Sequence, residues 1–220
     1  MFGQRVERYL GSGGLMLVVA KLIVLFICFP AHECAHAWTA DRLGDPTARK
    51  AGRITLNPLK HLDPMGTIMI ILCGVGYAKP VPVRIEHFKN PKRDFALTAI
   101  AGPISNLIMA ILFLLLIRIL SGVMGVSETR TMVLNVLVYA VYINISLAIF
   151  NLIPIPPLDG SRVVTAFLPD GAYRKMLHYE RYMMIGLLVV IFILNRAGYS
   201  PIGFLSEKVF RFLYGIIVGR

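Results

Sequence analysis

Two histidines and a glutamate near the start of the chain have the spacing of a group that can bind a metal and move a proton. His32 and His36 are four residues apart, so both imidazoles lie on one face of a helix, which turns once every 3.6 residues. Two neutral imidazoles in that position can hold one Zn²⁺. Glu33 is turned about 100° from His32 on the same helix, so we expect it to accept a proton from a metal-activated water rather than to bind the metal.

The sequence around these residues makes the pattern more specific. The arrangement His-Glu-x-x-His is that of zinc peptidases, although five residues alone match by chance in unrelated chains. Here the motif follows an apolar run from Leu15 to Pro30. Burying ionisable side chains within or beside a membrane-spanning segment costs free energy, so such residues usually have a function. The alternative interpretation is a pair of helix-end histidines at a membrane interface. Cys34, inside the motif, is expected to fill space in the core.

The composition indicates an all-α polytopic membrane protein. Of the 220 residues, 56% are hydrophobic and the mean hydropathy is +0.69, which is unusual for a soluble domain. The net charge of +11 comes from basic residues scattered among apolar segments. This pattern is typical of cytoplasmic loops that meet anionic lipid and does not favour nucleic-acid binding. The three cysteines form no Cys-x-x-Cys pair, so we expect free thiols.

Long apolar segments predict about four transmembrane helices. Their expected bounds are Leu15–Trp38, Phe95–Leu120, Thr131–Ile155 and Tyr182–Leu194. Pro30 should kink the first of them just before the motif. The apolar stretch Pro64–Gly76 is too short to span comfortably, which favours a re-entrant segment. Ile202–Val218 has an apolar stripe opposite charged residues, which predicts a C-terminal amphipathic helix at the interface more than a span.

The loops on either side of the re-entrant segment are both basic. Thr39–Asp63 and Tyr77–Asp94 are therefore predicted to be cytoplasmic. Each contains a short stretch that resembles a β-strand, Gly52–Leu56 in the first and Val81–Ile85 in the second, and such strands could pair with an extended substrate. With this topology, the motif and the end of the third span lie on the same side of the membrane.

Asp159 is the best candidate for a third metal ligand. A catalytic zinc takes three protein ligands and keeps one position open, and the metzincin continuation with a third histidine is absent after His36. Most other carboxylates lie in loops beside Lys or Arg. Asp159 instead follows an apolar span and a Pro-rich break, and it precedes Gly160, which permits close backbone approach. The alternative is that Asp159 caps a helix that starts near Ser161.

Several stretches together resemble the site-2 protease family of intramembrane zinc metalloproteases. They occur in the family's order over roughly residues 15–165: His32-Glu33-Cys34-Ala35-His36, Gly52 to Pro58, Lys79 to Val83, Ala101 to Asn106, and Asn151 to Gly160. The resemblance implies that His32, His36 and Asp159 bind one Zn²⁺ and that Glu33 is the general base. It also implies a site below the membrane surface on the cytosolic side, and cleavage of a transmembrane protein substrate within the lipid bilayer.

The resemblance leaves two asparagines and the assembly open. Asn151 matches the asparagine that precedes the family's Asp-Gly, and its amide could donate to an oxyanion or to substrate backbone, or could only cap or join helices. Asn106 is expected to join helices. Some members carry a PDZ or CBS domain, and this chain has room for neither. We therefore expect a single compact domain over residues 1–220. The resemblance also suggests a prokaryotic cell membrane as its location, and it leaves a homo-oligomer open.

Two other classes of function remain as alternatives. A non-catalytic zinc-binding membrane protein, such as a pseudoprotease or scaffold, would keep the ligands without the base, and Glu33 argues against it. A metal or proton transporter would also bury histidine and aspartate. Transporters usually carry inverted repeats, and no counterpart of the histidine pair occurs in the second half of this chain.

Overall fold

The computed structural model describes residues 14–63, 79–169 and 178–219. Its regular elements are all helical. The α-helices are α1 (Gly14–Ile23), α2 (Phe29–Arg42), α3 (Thr47–Lys50), α4 (Pro91–Val123), α5 (Glu128–Asn151), α6 (Asp159–Thr165), α7 (Glu180–Arg196) and α8 (Pro201–Ile217). A π-helical turn, Val24–Cys28, joins α1 to α2, and two 3₁₀ turns lie at Pro58–Lys60 and Ile85–His87.

Among the described residues, three helices are long and apolar enough to cross a membrane. They are Met16–Arg42, Pro91–Val123 and Glu128–Asn151. The pair α7 and α8 passes the same test only together, and the two helices are bent by 76° at the break between them. The expected mostly helical chain with several apolar helices of membrane-spanning length is thus confirmed. The described residues contain three such helices, or four if the bent pair is counted as one, and the number of spans stays a prediction.

The helix that carries the motif contains an irregular turn just before Pro30. Proline has no N–H, so the carbonyl one turn earlier in the helix loses its donor. The chain accommodates this with the π-helical turn Val24–Cys28, at whose end the Phe29 N–H donates to the Val24 carbonyl. The sequence predicted a kink at Pro30, and the structure has a π-helical turn directly before this residue. Beyond Pro30 the α-helix continues regularly to Arg42.

The apolar core lies between α4 and α5. Its buried members are Ala110, Leu114 and Ile117 on α4 and Leu137, Val141 and Ile145 on α5. The π-helical turn packs on α5 beside this core, where the Asn144 side-chain amide donates to the Cys28 thiol at 3.3 Å and to the Ala140 carbonyl. These contacts fix the motif helix against the two spans that complete the site.

The C-terminal segment forms a helix, α8, where the sequence predicted one. One side of it, with Val209, Leu213 and Ile217, packs against the core of α4 and α5, and its location at the membrane interface stays a prediction. Ser206 is fully buried and hydrogen-bonds the Ser146 hydroxyl at 3.0 Å, because small side chains permit close approach at this point. The opposite side of α8 exposes large apolar residues such as Phe204 and Phe212. The apolar residues that the sequence grouped in one stripe therefore lie partly against the core and partly on the outer surface of the helix.

The two short strands predicted in the loops are not confirmed, and the described parts of the chain contain no β-strand. In Gly52–Leu56 the Arg53 N–H donates back to the Ala48 carbonyl, which makes a turn. In Val81–Ile85 the Arg84 N–H donates to the Asp45 carboxylate, and a 3₁₀ turn begins at Ile85. The Ala48 carbonyl and the Asp45 carboxylate therefore take backbone donors that a strand would need.

Asp45 connects the two basic loops. It is fully buried and accepts hydrogen bonds from the backbone N–H groups of Thr47 and Arg84, and His87 Nδ1 lies 2.7 Å from its Oδ1. Burial opposes the charged form, but these hydrogen bonds outweigh it and lower the pKa of the Asp45 carboxyl below its usual value. A second connection is the hydrogen bond from the Lys79 N–H to the His61 carbonyl at 3.0 Å. The predicted re-entrant segment Pro64–Gly76 lies outside the described residues.

Candidate metal centre

Three elements that are distant in sequence meet at the histidine pair. Helix α2 presents His32 and His36 on one face, as the four-residue spacing predicted. Helix α6 begins at Asp159, whose carboxylate is directed at both imidazoles. Helix α4 packs against α2 and closes the third side. All three side chains are buried.

The atoms that could bind a metal converge on one point. His32 Nε2 and His36 Nε2 are 3.0 Å apart, and Asp159 Oδ2 lies 3.4 Å from the first and 3.3 Å from the second. These residues form a group of three buried metal-ligating side chains that could hold one ion. Asp159, which the sequence analysis selected by eliminating the other carboxylates, is thus the carboxylate that the fold brings next to the two histidines.

The spacing fits zinc. Tetrahedral coordination with bonds of about 2.0–2.2 Å places the ligand atoms roughly 3.3–3.6 Å apart, close to the three distances of the cluster. Two imidazoles and one carboxylate are the donor types that zinc takes, and three protein ligands leave a fourth position for a reactant. The donor set and its geometry therefore fit a catalytic rather than a closed structural zinc site.

A backbone carbonyl fixes the orientation of one imidazole. His36 Nδ1 lies 2.8 Å from the Thr98 carbonyl of α4. A carbonyl only accepts hydrogen bonds, so Nδ1 carries the proton and the lone pair of Nε2 faces the cluster, as metal binding requires. His32 Nδ1 is buried and has no hydrogen-bond partner among the described residues. Thr98 was not singled out in the sequence, because nothing in a residue's type shows that its carbonyl will be used.

The carboxylate of Asp159 is held in the charged form that binds metals. Burial favours the neutral acid, but in the metal-free cluster a proton on Nε2 of His32 or His36 donates to the carboxylate and lowers the pKa of the Asp159 carboxyl. A bound metal ion would displace that proton and take over the positive charge. Leu158, not Asp159, is the N-cap of α6. The alternative interpretation of Asp159 as a helix cap is therefore not supported. The neighbouring Gly160 packs so closely on the Leu152 carbonyl that a Cβ there would lie 2.2 Å from the oxygen.

Gly102 of α4 forms the floor beneath the imidazoles. A Cβ at this position would lie 2.4 Å from His36 Nε2 and 2.5 Å from His32 Cε1. Such distances are far inside van der Waals contact, so only glycine lets α4 pack against the histidine pair. The sequence contained the signal, an Ala-Gly-Pro within an apolar span, but only the structure gives the reason for it.

Replacing Gly102 with alanine is therefore expected to displace both imidazoles and to lower the zinc content of the purified protein at least several-fold. Gly122→Ala is the matched control, because Gly122 lies in the same helix and a Cβ there meets nothing within 4 Å. Zinc per chain, measured by elemental analysis, should fall only in the Gly102 variant. Equal zinc content in the two variants would contradict the close packing.

The other predicted site residues lie around this cluster. Glu33 is half-buried on α2, and its charge acts on His36, but it does not belong to the group of three ligand side chains. Asn151 is the last residue of α5 and is half-buried, one residue before the Leu152 carbonyl that contacts Gly160. Asn106 is buried within α4, one turn beyond Gly102. Cys34 is half-buried and accepts a hydrogen bond from the Thr55 backbone.

Comparison with known proteins agrees with the geometry. The model of peptidase family M50 matches residues 20–131 and 117–195. A Bacillus subtilis protein named "Putative zinc metalloprotease YwhC" is 43% identical over 178 residues, which cover 80% of this chain and 81% of that protein. "Putative zinc metalloprotease Rip2" of Mycolicibacterium smegmatis is 27% identical over 85% of this chain and 70% of its own.

A longer relative matches about two thirds of the chain. "Zinc metalloprotease RasP" of Bacillus licheniformis is 29% identical over 155 residues, which cover 68% of this chain and 33% of that protein. No solved structure matches the chain. The two matches of the family model include His32, His36 and Asp159, and the Bacillus subtilis relative is similar over most of the sequence: the chain belongs to peptidase family M50, the family of the site-2 proteases.

Proposed function

We propose that this protein is an intramembrane zinc endopeptidase that hydrolyses peptide bonds within or near the transmembrane segments of other proteins. The observation that carries the proposal is the convergence of His32, His36 and Asp159, with Glu33 one residue away. His32, Glu33 and His36 lie on a helix of membrane-spanning length, and Asp159 begins a short helix that follows another one, Glu128–Asn151. A scaffold would need the ligands but would have no use for a carboxylate placed beside them.

The residues have distinct tasks in the proposed reaction. His32, His36 and Asp159 hold the metal, and the Thr98 carbonyl keeps His36 in the correct tautomer. Zinc, when bound, supplies a Lewis acid that makes water a nucleophile near neutral pH. Glu33 accepts a proton from the attacking water and donates it to the nitrogen of the amine that leaves.

The position of the site supports a substrate that is itself a membrane segment. The motif helix passes the test for a spanning helix, and Pro91–Val123 and Glu128–Asn151, which flank the site, pass it too. A helical substrate hides its peptide bonds in its own hydrogen bonds, so the cleaved stretch must first become extended. We further propose that the Asn151 amide donates a hydrogen bond to the substrate backbone or to the developing oxyanion near the start of α6.

The function is tested with purified protein in lipid vesicles and a panel of single-span reporter proteins with helix-destabilising residues in the membrane segment. Cleavage is expected in the zinc-loaded protein, is expected to stop after chelation, and should return when zinc is added. Mass spectrometry should place the cut within or beside the span. Bound zinc without cleavage of any reporter would favour the non-catalytic alternative.

We also propose that the active site faces the cytoplasm of a prokaryotic cell. The loops on the motif side of the spans carry the basic residues, and the direct connections of Asp45 to Arg84 and of His61 to Lys79 keep both loops on one side. Cysteines introduced at the exposed positions Lys50 and Glu86 should resist a membrane-impermeant maleimide in intact cells and react after permeabilisation.

The matched control for orientation is a cysteine at Gly125, in the exposed turn between α4 and α5. This position should react in intact cells, and the unaltered chain gives the background from its native thiols. Labelling of the Lys50 or Glu86 position in intact cells would overturn the orientation.

A further inference from the structure

An open groove lies between the first turns of α4 and the short helix α6. Its volume is about 840 Å³, which is within the size range of sites that bind small organic molecules. Lys92 and Arg93 lie at its polar mouth. Apolar side chains line the remainder, among them Ala96 and Ile100 of α4 and Val163 of α6. None of the residues assigned to the metal centre lines this groove.

The mouth of the groove is positively charged. Residues 88–94 contain three basic side chains, Lys89, Lys92 and Arg93, and one acid, Asp94. Asp94 is buried and pairs with Arg93, whose Nη2 lies 2.9 Å from its Oδ1, so it offsets one of the three charges. The two other charges are in excess. An anion that approaches the start of α4 therefore meets an electrostatically favourable surface.

Two contacts hold the walls of the groove together. Lys92 Nζ donates to the Leu168 carbonyl at 3.0 Å, so this side chain reaches from the start of α4 to the chain that follows α6. The Arg162 guanidinium of α6 lies over the Phe95 ring of α4, 5.3 Å from the centre of the ring. These contacts fix the spacing of the walls, so the groove is already shaped before a ligand enters it.

The groove lies on the other side of α4 from the metal centre. Ala96 and Ile100 are one turn apart and line the groove, whereas a Cβ on Gly102 would contact the imidazoles. Residues two positions apart on a helix point to nearly opposite sides, as Ile100 and Gly102 do here. The groove is therefore distinct from the place where a peptide bond would meet the metal.

Polarity changes along the groove as it does along a phospholipid. The basic mouth lies in the first turn of Pro91–Val123, a helix long and apolar enough to cross a membrane, and the apolar walls follow in its next two turns. In a bilayer this order places the mouth at the level of the headgroups and the walls at the level of the acyl chains. A soluble anion would gain nothing from the walls, and a neutral lipid would gain nothing from the charges.

We propose that the groove binds one anionic phospholipid, with the phosphate group at Lys92 and Arg93 and an acyl chain along the apolar walls. The bound lipid contacts α4 and α6 from the outside, and these two helices supply Gly102 and Asp159 to the metal centre. Lipid binding at this place does not depend on peptidase activity, so the two properties can be tested separately.

The test is native mass spectrometry of the purified protein in a neutral detergent, with equal amounts of phosphatidylglycerol and phosphatidylcholine that carry the same acyl chains. The wild-type protein should retain one phosphatidylglycerol in preference to phosphatidylcholine. Lys92→Gln combined with Arg93→Gln should lower this retention by about 10-fold or more, because each basic residue near an anionic membrane surface contributes about five-fold to binding. Lys92→Arg combined with Arg93→Lys keeps both charges and should keep the lipid.

Filling the groove tests the apolar walls without a change of charge. Ala96→Trp should lower the retention of phosphatidylglycerol several-fold, because the indole ring would occupy the space of the acyl chain. Leu112→Trp is the matched control, since Leu112 is exposed on the same helix and does not line the groove. Equal retention by these two variants would contradict the position of the chain.

The matched control for charge is Lys50→Gln combined with Lys89→Gln, which removes two charges from exposed positions outside the groove. This variant should retain phosphatidylglycerol as the wild type does, and an equal loss in it would overturn the proposal. Equal retention of the two lipids by the wild type, or loss of lipid from the charge-preserving variant, would do the same. Displacement by inorganic phosphate would make the groove a site for a soluble anion, and displacement by a single-span reporter protein would assign it to substrate instead.

Discussion

Replacing Glu33 with glutamine is expected to lower cleavage of a transmembrane reporter by at least ~10²-fold, the lower end of the loss for a missing general acid and base. Glutamine keeps the size and shape of the side chain but cannot take a proton from water. Glu33 is outside the group of three ligand side chains, so zinc content should remain near one ion per chain. The variant thus separates catalysis from metal binding in one substitution.

The measurement compares initial cleavage rates and zinc per chain in the same preparations. Glu128→Gln is the control for the chemical change, because Glu128 is exposed in the first turn of α5, near the turn that joins α4 to α5. Loss of zinc in Glu33→Gln would make Glu33 a ligand or a structural support. Unchanged cleavage would place the base elsewhere or refute the peptidase function.

The sequence predicted the cluster because its parts follow from simple geometry. The helical period places His32 and His36 on one face, and the requirement for a third ligand leaves few carboxylates outside basic loops. Asp159 stands out because its neighbours are apolar and Gly160 permits close approach. Residue type and local spacing carry this information, so no knowledge of the packing between helices was needed.

Features that depend on packing between helices were beyond the sequence. The use of the Thr98 carbonyl by His36, and the contact of Gly102 with both imidazoles, exist only because α4 crosses α2 at one particular place. The same applies to Lys92 and Arg93, which looked like two of many loop cations until the groove beside them was known. Spacing along one helix cannot show where a second helix will touch it.

The two predicted strands are not confirmed, and the reason lies in where their backbone donors go. In Gly52–Leu56 the Arg53 N–H donates to the Ala48 carbonyl, which makes a turn. In Val81–Ile85 the Arg84 N–H donates to the carboxylate of the buried Asp45. Alternation of residue types along the sequence cannot show that these acceptors will lie within reach.

Replacing Asp159 with asparagine is expected to weaken zinc binding by ~10²-fold or more, since changes even in the residues that support metal ligands commonly cost 10- to 100-fold. Asparagine has nearly the same shape but lacks the negative charge that helps to neutralise the ion, and its amide is a poorer zinc ligand than a carboxylate. The imidazoles of His32 and His36 would remain, 3.0 Å apart, as an incomplete site. Cleavage should be lost together with the metal.

Zinc affinity can be followed without any substrate, which makes this test independent of the search for a reporter. A ligand that binds only the folded state raises the melting temperature, so zinc should stabilise the wild-type protein and have little effect on Asp159→Asn at the same concentration. Asp41→Asn is the control, because it removes a carboxylate that pairs with the exposed Arg49 outside the cluster. Equal stabilisation of wild type and Asp159→Asn by zinc, over a titration against a competing chelator, would remove Asp159 from the ligand set. The convergence of its Oδ2 on the two imidazoles at 3.3–3.4 Å makes the opposite result the expected one.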